Sequence, residues 1–235
     1  MPEYEEDKYE QKRRIGEGAF GAVFEVEETA TGNCFAMKKI ELDPTGQKNK
    51  YVQREVKHML TPSKHENIVL LHDIFRAPAN RLIFVMELCD CDLADFMWDK
   101  SNRTDEIKLN MLLQCARGLH FLHSCSPPII HRDVKPNNIL IKQNNDKVVI
   151  KIADFGISSE IDEQTFEDVA ACQSKLALMK TDGGGTKWFM APEFFKAKEQ
   201  NKSFYVFPSV DIFALGLVFA FVVDWNENND YGECD

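Results

Sequence analysis

The sequence predicts an α+β protein in two parts, strand-rich first and helical second. Three observations carry that reading. β-favouring segments broken by turn residues run through about residue 89. Helical spacing takes over in residues 107–123. Residues 210–223 are apolar almost all round, which describes a helix in the middle of a protein.

In order along the chain, RRIGEGAFGAVFEVEE sets a glycine-rich turn between two strands, and NCFAMKKIEL alternates like a half-buried strand. Residues 50–61 place Val52, Val56 and Met59/Leu60 on one stripe and predict an amphipathic helix. Two apolar runs, NIVLLHDIF and RLIFVMELC, follow around a Pro/Ala/Asn turn. The next predicted helix buries Leu109, Leu112, Leu113, Ala116 and Leu119, and the prolines at 127–128 end it. Ile139–Ile141 and Val148–Ile152 flank an Asn-rich turn, and 158–185 reads as a long mobile loop. Ser209 is the predicted N-cap of the apolar helix.

Bulk properties narrow the function. With 235 residues, 44% of them hydrophobic, the chain is long enough for one large domain or two small lobes sharing a cleft. A net charge of −10 argues against nucleic acid or an anionic membrane as the main partner. The seven cysteines are scattered and form no C-x-x-C pair, which predicts reduced thiols in a cytoplasmic setting. The charged N-terminus is not a signal peptide. The longest apolar run, Ile212 to Val223, is short of the roughly 20 residues a bilayer crossing needs, so no membrane span is expected.

The chemistry concentrates in four motifs. Gly16-x-Gly18-x-x-Gly21-x-Val23 has a spacing that dinucleotide-binding folds share, but it continues as a strand instead of opening a helix. Glycines there let a backbone close over phosphate without side-chain obstruction. Lys38 lies on the next strand, 17 residues on (38 − 21), as a candidate phosphate clamp, with Glu55 as its expected ion-pair partner. His131-Arg132-Asp133-Val134-Lys135-Pro136-Asn137-Asn138 precedes Asp154-Phe155-Gly156, with Asp154 21 residues after Asp133 (154 − 133). Phosphoryl transfer needs such a set. Asp133 would take the proton of an attacking hydroxyl, Lys135 would neutralise transferred charge, and Asp154 and Asn138 offer hard oxygens to Mg²⁺. Ala191-Pro192-Glu193 closes the series.

These motifs, in this order, resemble the eukaryotic protein kinase family from about Tyr9 to about Val223. The resemblance implies a two-lobed fold with ATP in the cleft and a protein as phosphate acceptor. It implies a first lobe over about 9–88 and a second over about 89–235, after a charged extension at 1–8. Met86 resembles the gatekeeper, and Glu87 to Cys89 the hinge whose backbone meets adenine. Val23, Ala36 and Leu140 would sandwich the adenine, and Ile15 joins Gly16, Gly18, Gly21 and Lys38 in the nucleotide-contacting set. Met59, Leu71, Phe155 and His131 resemble the stacked apolar column of active relatives, and Asp211 the buried aspartate that braces the catalytic loop. Lys135 with Gly185-Thr186 resembles the serine/threonine branch, while Phe189 is a modest departure from the family's aromatic pattern. Short strings are similar to unfolded-protein-response sensor kinases (IIHRDVKPNNILI) and to kinases of the initiation factor two α subunit (GTKWFMAPE). By the same resemblance Arg132 would receive a phosphate from the mobile segment. Asp182 there is either a built-in charge mimic or a solvated loop acid.

The expected activity is therefore transfer of the γ-phosphoryl group of ATP to protein serine or threonine. The alternative is a catalytically impaired kinase-like ATP-binding or scaffold module, expected if the helical lobe is truncated after its central apolar helix. It draws on the apolar helix, because the family's helical lobe continues well beyond that point. A helix so apolar and left uncovered predicts self-association or a covering partner. A small-molecule phosphotransferase is disfavoured by the co-occurrence of all the motifs.

Overall fold

A computed structural model describes residues 7–18, 21–41, 65–78, 81–126, 128–144, 147–155, 159–160, 187–193 and 207–224. The first part is a five-stranded antiparallel sheet. Its strands are β1 (Tyr9–Gly18), β2 (Gly21–Glu28), β3 (Cys34–Glu41), β4 (Leu71–Ala77) and β5 (Arg81–Glu87), in the order β1-β2-β3-β5-β4. Register explains how the sheet separates its two faces. Val23 opposes Lys38, Lys38 opposes Phe84, and Ala36 opposes Met86, so these five side chains share the face toward the second lobe. The alternate set, Val26, Met37, Ile83 and Val85, packs with Tyr9 and Phe75 as a separate outer core.

The second part begins with β6 (Cys91–Asp92) and the short helix α1 (Leu93–Trp98), which the sequence reading did not anticipate. Asp92 caps α1 by accepting from the Asp95 N–H at 2.8 Å. Helix α2 (Asp105–His123) follows, then β7 (Ile129–Ile130), the hairpin β8 (Ile139–Asn144) and β9 (Lys147–Ile152), β10 (Ser159–Glu160) and α3 (Ser209–Asp224). One apolar cluster joins Ile40, Leu82 and Phe84 of the sheet to α1, α2, the hairpin and α3. The two lobes thus share a core.

Three expectations need correction. Leu109 and Leu113 are 70% and 47% exposed, not buried. Helix α2 meets β9 and α3 through Met111, Leu112, Cys115, Leu119 and Leu122, and that pair of leucines falls outside this face. The same helix stops at His123, ahead of the prolines, where Ser124 turns its own N–H and Oγ back to the His120 carbonyl. Finally, α3 begins one residue early. The Pro208 carbonyl accepts from the Asp211 and Ile212 N–H groups, which puts Ser209 inside the first turn instead of at the cap. Of the loop expected over 158–185, only β10 is described, paired antiparallel with β7. The helix expected over 50–61 lies outside the described residues.

The apolar helix itself is as expected, with Val218 and Val222 fully buried. Ile212, Phe213 and Val223 are exposed, on the element from which self-association was expected. Among the described residues no helix is long and apolar enough to cross a membrane.

Buried polar groups tie the lobes at one seam. Residues 67–69 run beside β9, with the Ile152 N–H donating to the Asn67 carbonyl and the Val69 N–H to the Ile152 carbonyl, both at 2.9 Å. Gln114 of α2 completes the seam. Its Oε1 accepts from Asn67 Nδ2 and from the Ile150 N–H, both at 2.9 Å, while its Nε2 donates to the Val148 carbonyl at 2.9 Å. Gln114→Leu keeps the bulk but leaves the Ile150 N–H and Val148 carbonyl without these partners. It is expected to lower stability by about 2–4 kcal/mol. A urea midpoint indistinguishable from wild type would contradict that assignment.

Candidate active site

The catalytic-loop candidates are held from below by α3. Asp211, fully buried, accepts from the His131 N–H through Oδ2 and from the Arg132 N–H through Oδ1, each at 2.8 Å. His123 at the end of α2 adds Nε2 to Oδ2 at 2.8 Å. A buried carboxylate in this setting requires several donors, and it finds them in one loop and one neighbouring helix. Arg132 is thereby kept at φ 71°, a left-handed conformation that costs an arginine about 1 kcal/mol or more. That turn swings the next residue, Asp133, toward the cleft.

His131 carries the arrangement across to the second motif. Its Nε2 donates to the Ala153 carbonyl at 2.9 Å, which leaves Nδ1 to accept from the Asp133 N–H at 3.3 Å. Its ring lies 5.2 Å from the ring of the fully buried Phe155. Leu71 packs against the apolar cluster that contains Phe155, and Met59, the remaining member of the expected column, lies outside the described residues. Asp154, between Ala153 and Phe155, is the second non-glycine residue at positive φ, 64°. Among the described residues the two positions at positive φ other than glycine are therefore Asp154, an expected metal ligand, and Arg132, next to the expected base Asp133.

Asn138 links Asp133 to Ala153, the residue before Asp154. Its Nδ2 donates at 2.8 Å to both the carbonyl and Oδ2 of Asp133, and its own carbonyl accepts from the Ala153 N–H at 2.9 Å. The amide oxygen is thereby turned away from Asp133. Lys135 Nζ stands 3.3 Å from Asp133 Oδ2. From above, Lys38 Nζ reaches Asp154 Oδ1 at 3.1 Å, although its side chain is only 8% exposed. Glu55, the expected partner of Lys38, lies outside the described residues.

Around this centre lie the residues expected to contact nucleotide. Val23, Ala36 and Met86 share a sheet face with Lys38, and Leu140 on β8 packs at the edge of the main core. Ile15 and Gly16 sit on β1, with Gly16 opposite Val23, and Gly18 opposes Gly21 where β1 and β2 meet. Gly21 has φ 149°, and a Cβ there would fall 1.9 Å from the Lys39 carbonyl oxygen, so only glycine fits. Burial pushes the Cys89 thiol up to about 12, helped by the Glu87 charge, which keeps the thiol neutral.

Glu87 does more than the sequence indicated. Its carboxylate takes Lys151 Nζ at 2.8 Å, Lys142 Nζ at 2.9 Å and the Leu70 N–H at 2.8 Å. Neither the pairing of Glu87 with Lys142 nor the bond from His123 to Asp211 leaves a local signal, because the partners lie 55 and 88 residues apart in the chain.

The protein kinase domain family matches residues 9–227. Relatives include mitogen-activated protein kinase 4a of Physcomitrium patens, 34% identical over 217 residues, covering 88% of this chain and 50% of the relative. Mitogen-activated protein kinase sty1 of Schizosaccharomyces pombe is 35% identical over 219 residues, covering 92% and 55% respectively. Cyclin-dependent kinase-like 1 of Caenorhabditis elegans is 33% identical over 216 residues, covering 91% and 54%. The chain belongs to the eukaryotic serine/threonine protein kinase family, with the strand-rich first lobe and helical second lobe of that fold. It spans about half the length of the curated relatives it matches.

The Glu87 cluster sets an acid sensitivity. Burial alone would raise this carboxyl, but the bonds from Lys151, Lys142 and Leu70 outweigh it and hold the group below its ordinary value of 4.5. A depressed folded value stabilises the fold above pH 4.5, and that stabilisation fades as pH falls through the lowered value. Glu87→Gln should therefore cost about 2 kcal/mol at pH 7. The gap between wild type and variant should narrow as pH falls below 4.5, as followed by denaturant midpoints, whereas a gap of constant size would contradict the assignment.

Proposed function

We propose that this chain transfers the γ-phosphoryl group of ATP to serine or threonine hydroxyls of a protein substrate. The observation that carries the reading is the convergence of Asp133, Asn138, Asp154 and Lys38. Asn138 holds Asp133 by two hydrogen bonds and the Ala153 backbone by a third, while Lys38 meets Asp154 across the cleft. Chemistry of this class depends on positioning and charge, and both are built here.

In this reading Asp133 orients the acceptor hydroxyl and takes its proton as the oxygen bonds to the γ-phosphorus, whose bond to the β–γ bridging oxygen breaks and releases ADP. Lys135, already beside Asp133, lies where negative charge on the transferred group would build. Lys38 turns from Asp154 to the phosphates of ATP. The donor set suits Mg²⁺, since Asp154 offers a carboxylate and Asn138 an amide oxygen whose nitrogen is committed to Asp133. The ion, when bound there, would neutralise phosphate charge. The adenine ring would lie between Val23 and Ala36 above and Leu140 below, with the backbone of Glu87 and Cys89 as its polar contacts and Met86 behind it. The described cysteines are all free thiols, which suits a cytoplasmic setting.

Transfer of ³²P from ATP–Mg²⁺ to the chain itself and to a generic basic protein tests this directly. Asp154→Asn should reduce transfer by at least about a hundredfold with the melting temperature little changed. Equal transfer by wild type and Asp154→Asn would contradict the assignment. No transfer from wild type, with ATP still raising its melting temperature, would mark a nucleotide-binding module instead.

A further inference from the structure

We propose that Lys151 and Lys142 are positioning residues for the nucleotide, acting through the Glu87 carboxylate to lock the hinge in the register that presents its backbone to adenine. The proposal rests on the reading of the cleft as an ATP site. Among the described residues the chain passes between the lobes at 67–70 and again at 87–90. Glu87 opens the second crossing and is bonded to the first. Its N–H donates to the Leu70 carbonyl at 2.9 Å, and its carboxylate accepts from the Leu70 N–H at 2.8 Å. The two crossings are thus tied to each other by a reciprocal pair.

The lysines tie that pair to the floor of the cleft. Leu140 opposes Lys151 and Lys142 opposes Val149 across the hairpin, so Leu140, Lys142, Val149 and Lys151 share one face. The strand face that carries the expected adenine floor therefore carries two ammonium groups as well, both directed at the first hinge residue. Lys151 is only 12% exposed and the Glu87 side chain 9%, so this is a desolvated contact and not a loose surface pair. Three residues further along, the Asp90 N–H donates to the Ile141 carbonyl at 2.9 Å and Asp90 Oδ2 accepts from the Gln143 N–H at 2.7 Å. The hinge is fastened at both ends, and the span between includes Cys89, whose backbone is the other expected adenine contact.

A fastened hinge lowers the ordering cost of binding without touching the reacting atoms. Removing a lysine should therefore change the affinity for ATP and spare the chemical step. The test is steady-state kinetics of the full chain with ATP varied at saturating Mg²⁺, for wild type, Lys151→Met, Lys142→Met and Lys151→Arg. Lys151→Met is expected to raise the KM for ATP about five- to tenfold with kcat within about twofold. Lys151→Arg, which keeps the charge and donors, should recover most of the loss. The more exposed Lys142→Met should show the same split in milder form, and it carries the test should Lys151→Met fail to fold. An unchanged KM in both methionine variants, with lowered melting temperatures, would show a structural brace only and overturn the proposal. A wild-type chain that neither binds ATP nor transfers phosphate would overturn the reading of the cleft and this proposal with it.

Discussion

One buried carboxylate organises the candidate active site. Asp211 sits in an apolar helix with no exposure to solvent, where an unpartnered charge would cost several kcal/mol. It is stable there because two consecutive backbone N–H groups and one imidazole converge on it. The dependence is mutual. The carboxylate needs the donors, and the loop that supplies them is thereby held in a conformation an arginine would otherwise avoid.

The site is then assembled by short relays outward from this point. His131 passes the constraint to Ala153, the main chain of Ala153 passes it to Asn138, and Asn138 returns to Asp133. The closed circuit places Asp133, Asn138 and Asp154 on a common frame built from β8, β9 and the loop before them. Lys38 comes from the other lobe, and its direction is set by the register of β2, β3 and β5, which puts it on the same face as Val23 and Ala36. Under the proposed function, charge preorganised in this way would favour phosphoryl transfer.

Much of this was legible in the sequence, for physical reasons that differ between parts. Strand and hairpin signals are local, so β1 to β3 and the β8–β9 hairpin could be read from alternation and turn residues. The aspartates, Asn138 and Lys38 could be singled out because their motifs restrict both residue type and spacing, and the structure joins Asn138 to Asp133 by hydrogen bonds and Lys38 to Asp154 as an ion pair. The side of α2 that would be buried was not legible. Leu109 and Leu113 fit the helical period as well as Met111 does, and only the placement of β9 and α3 decides which stripe is covered. Gln114, an ordinary polar residue by sequence, spans three elements because Asn67 and Ile150 arrive beside it from distant parts of the chain. The second role of Glu87 was hidden for the same reason, since Lys142 and Lys151 reach it only after the hairpin has formed.

Site-resolved amide hydrogen exchange at His131 and Arg132 tests the organising role of Asp211 most directly. If the carboxylate pins this loop, both amides should exchange only through a large opening, as slowly as the buried amides of α3. Exchange at the rate of an exposed loop would contradict the account, because the turn that presents Asp133 would then be held by something other than Asp211.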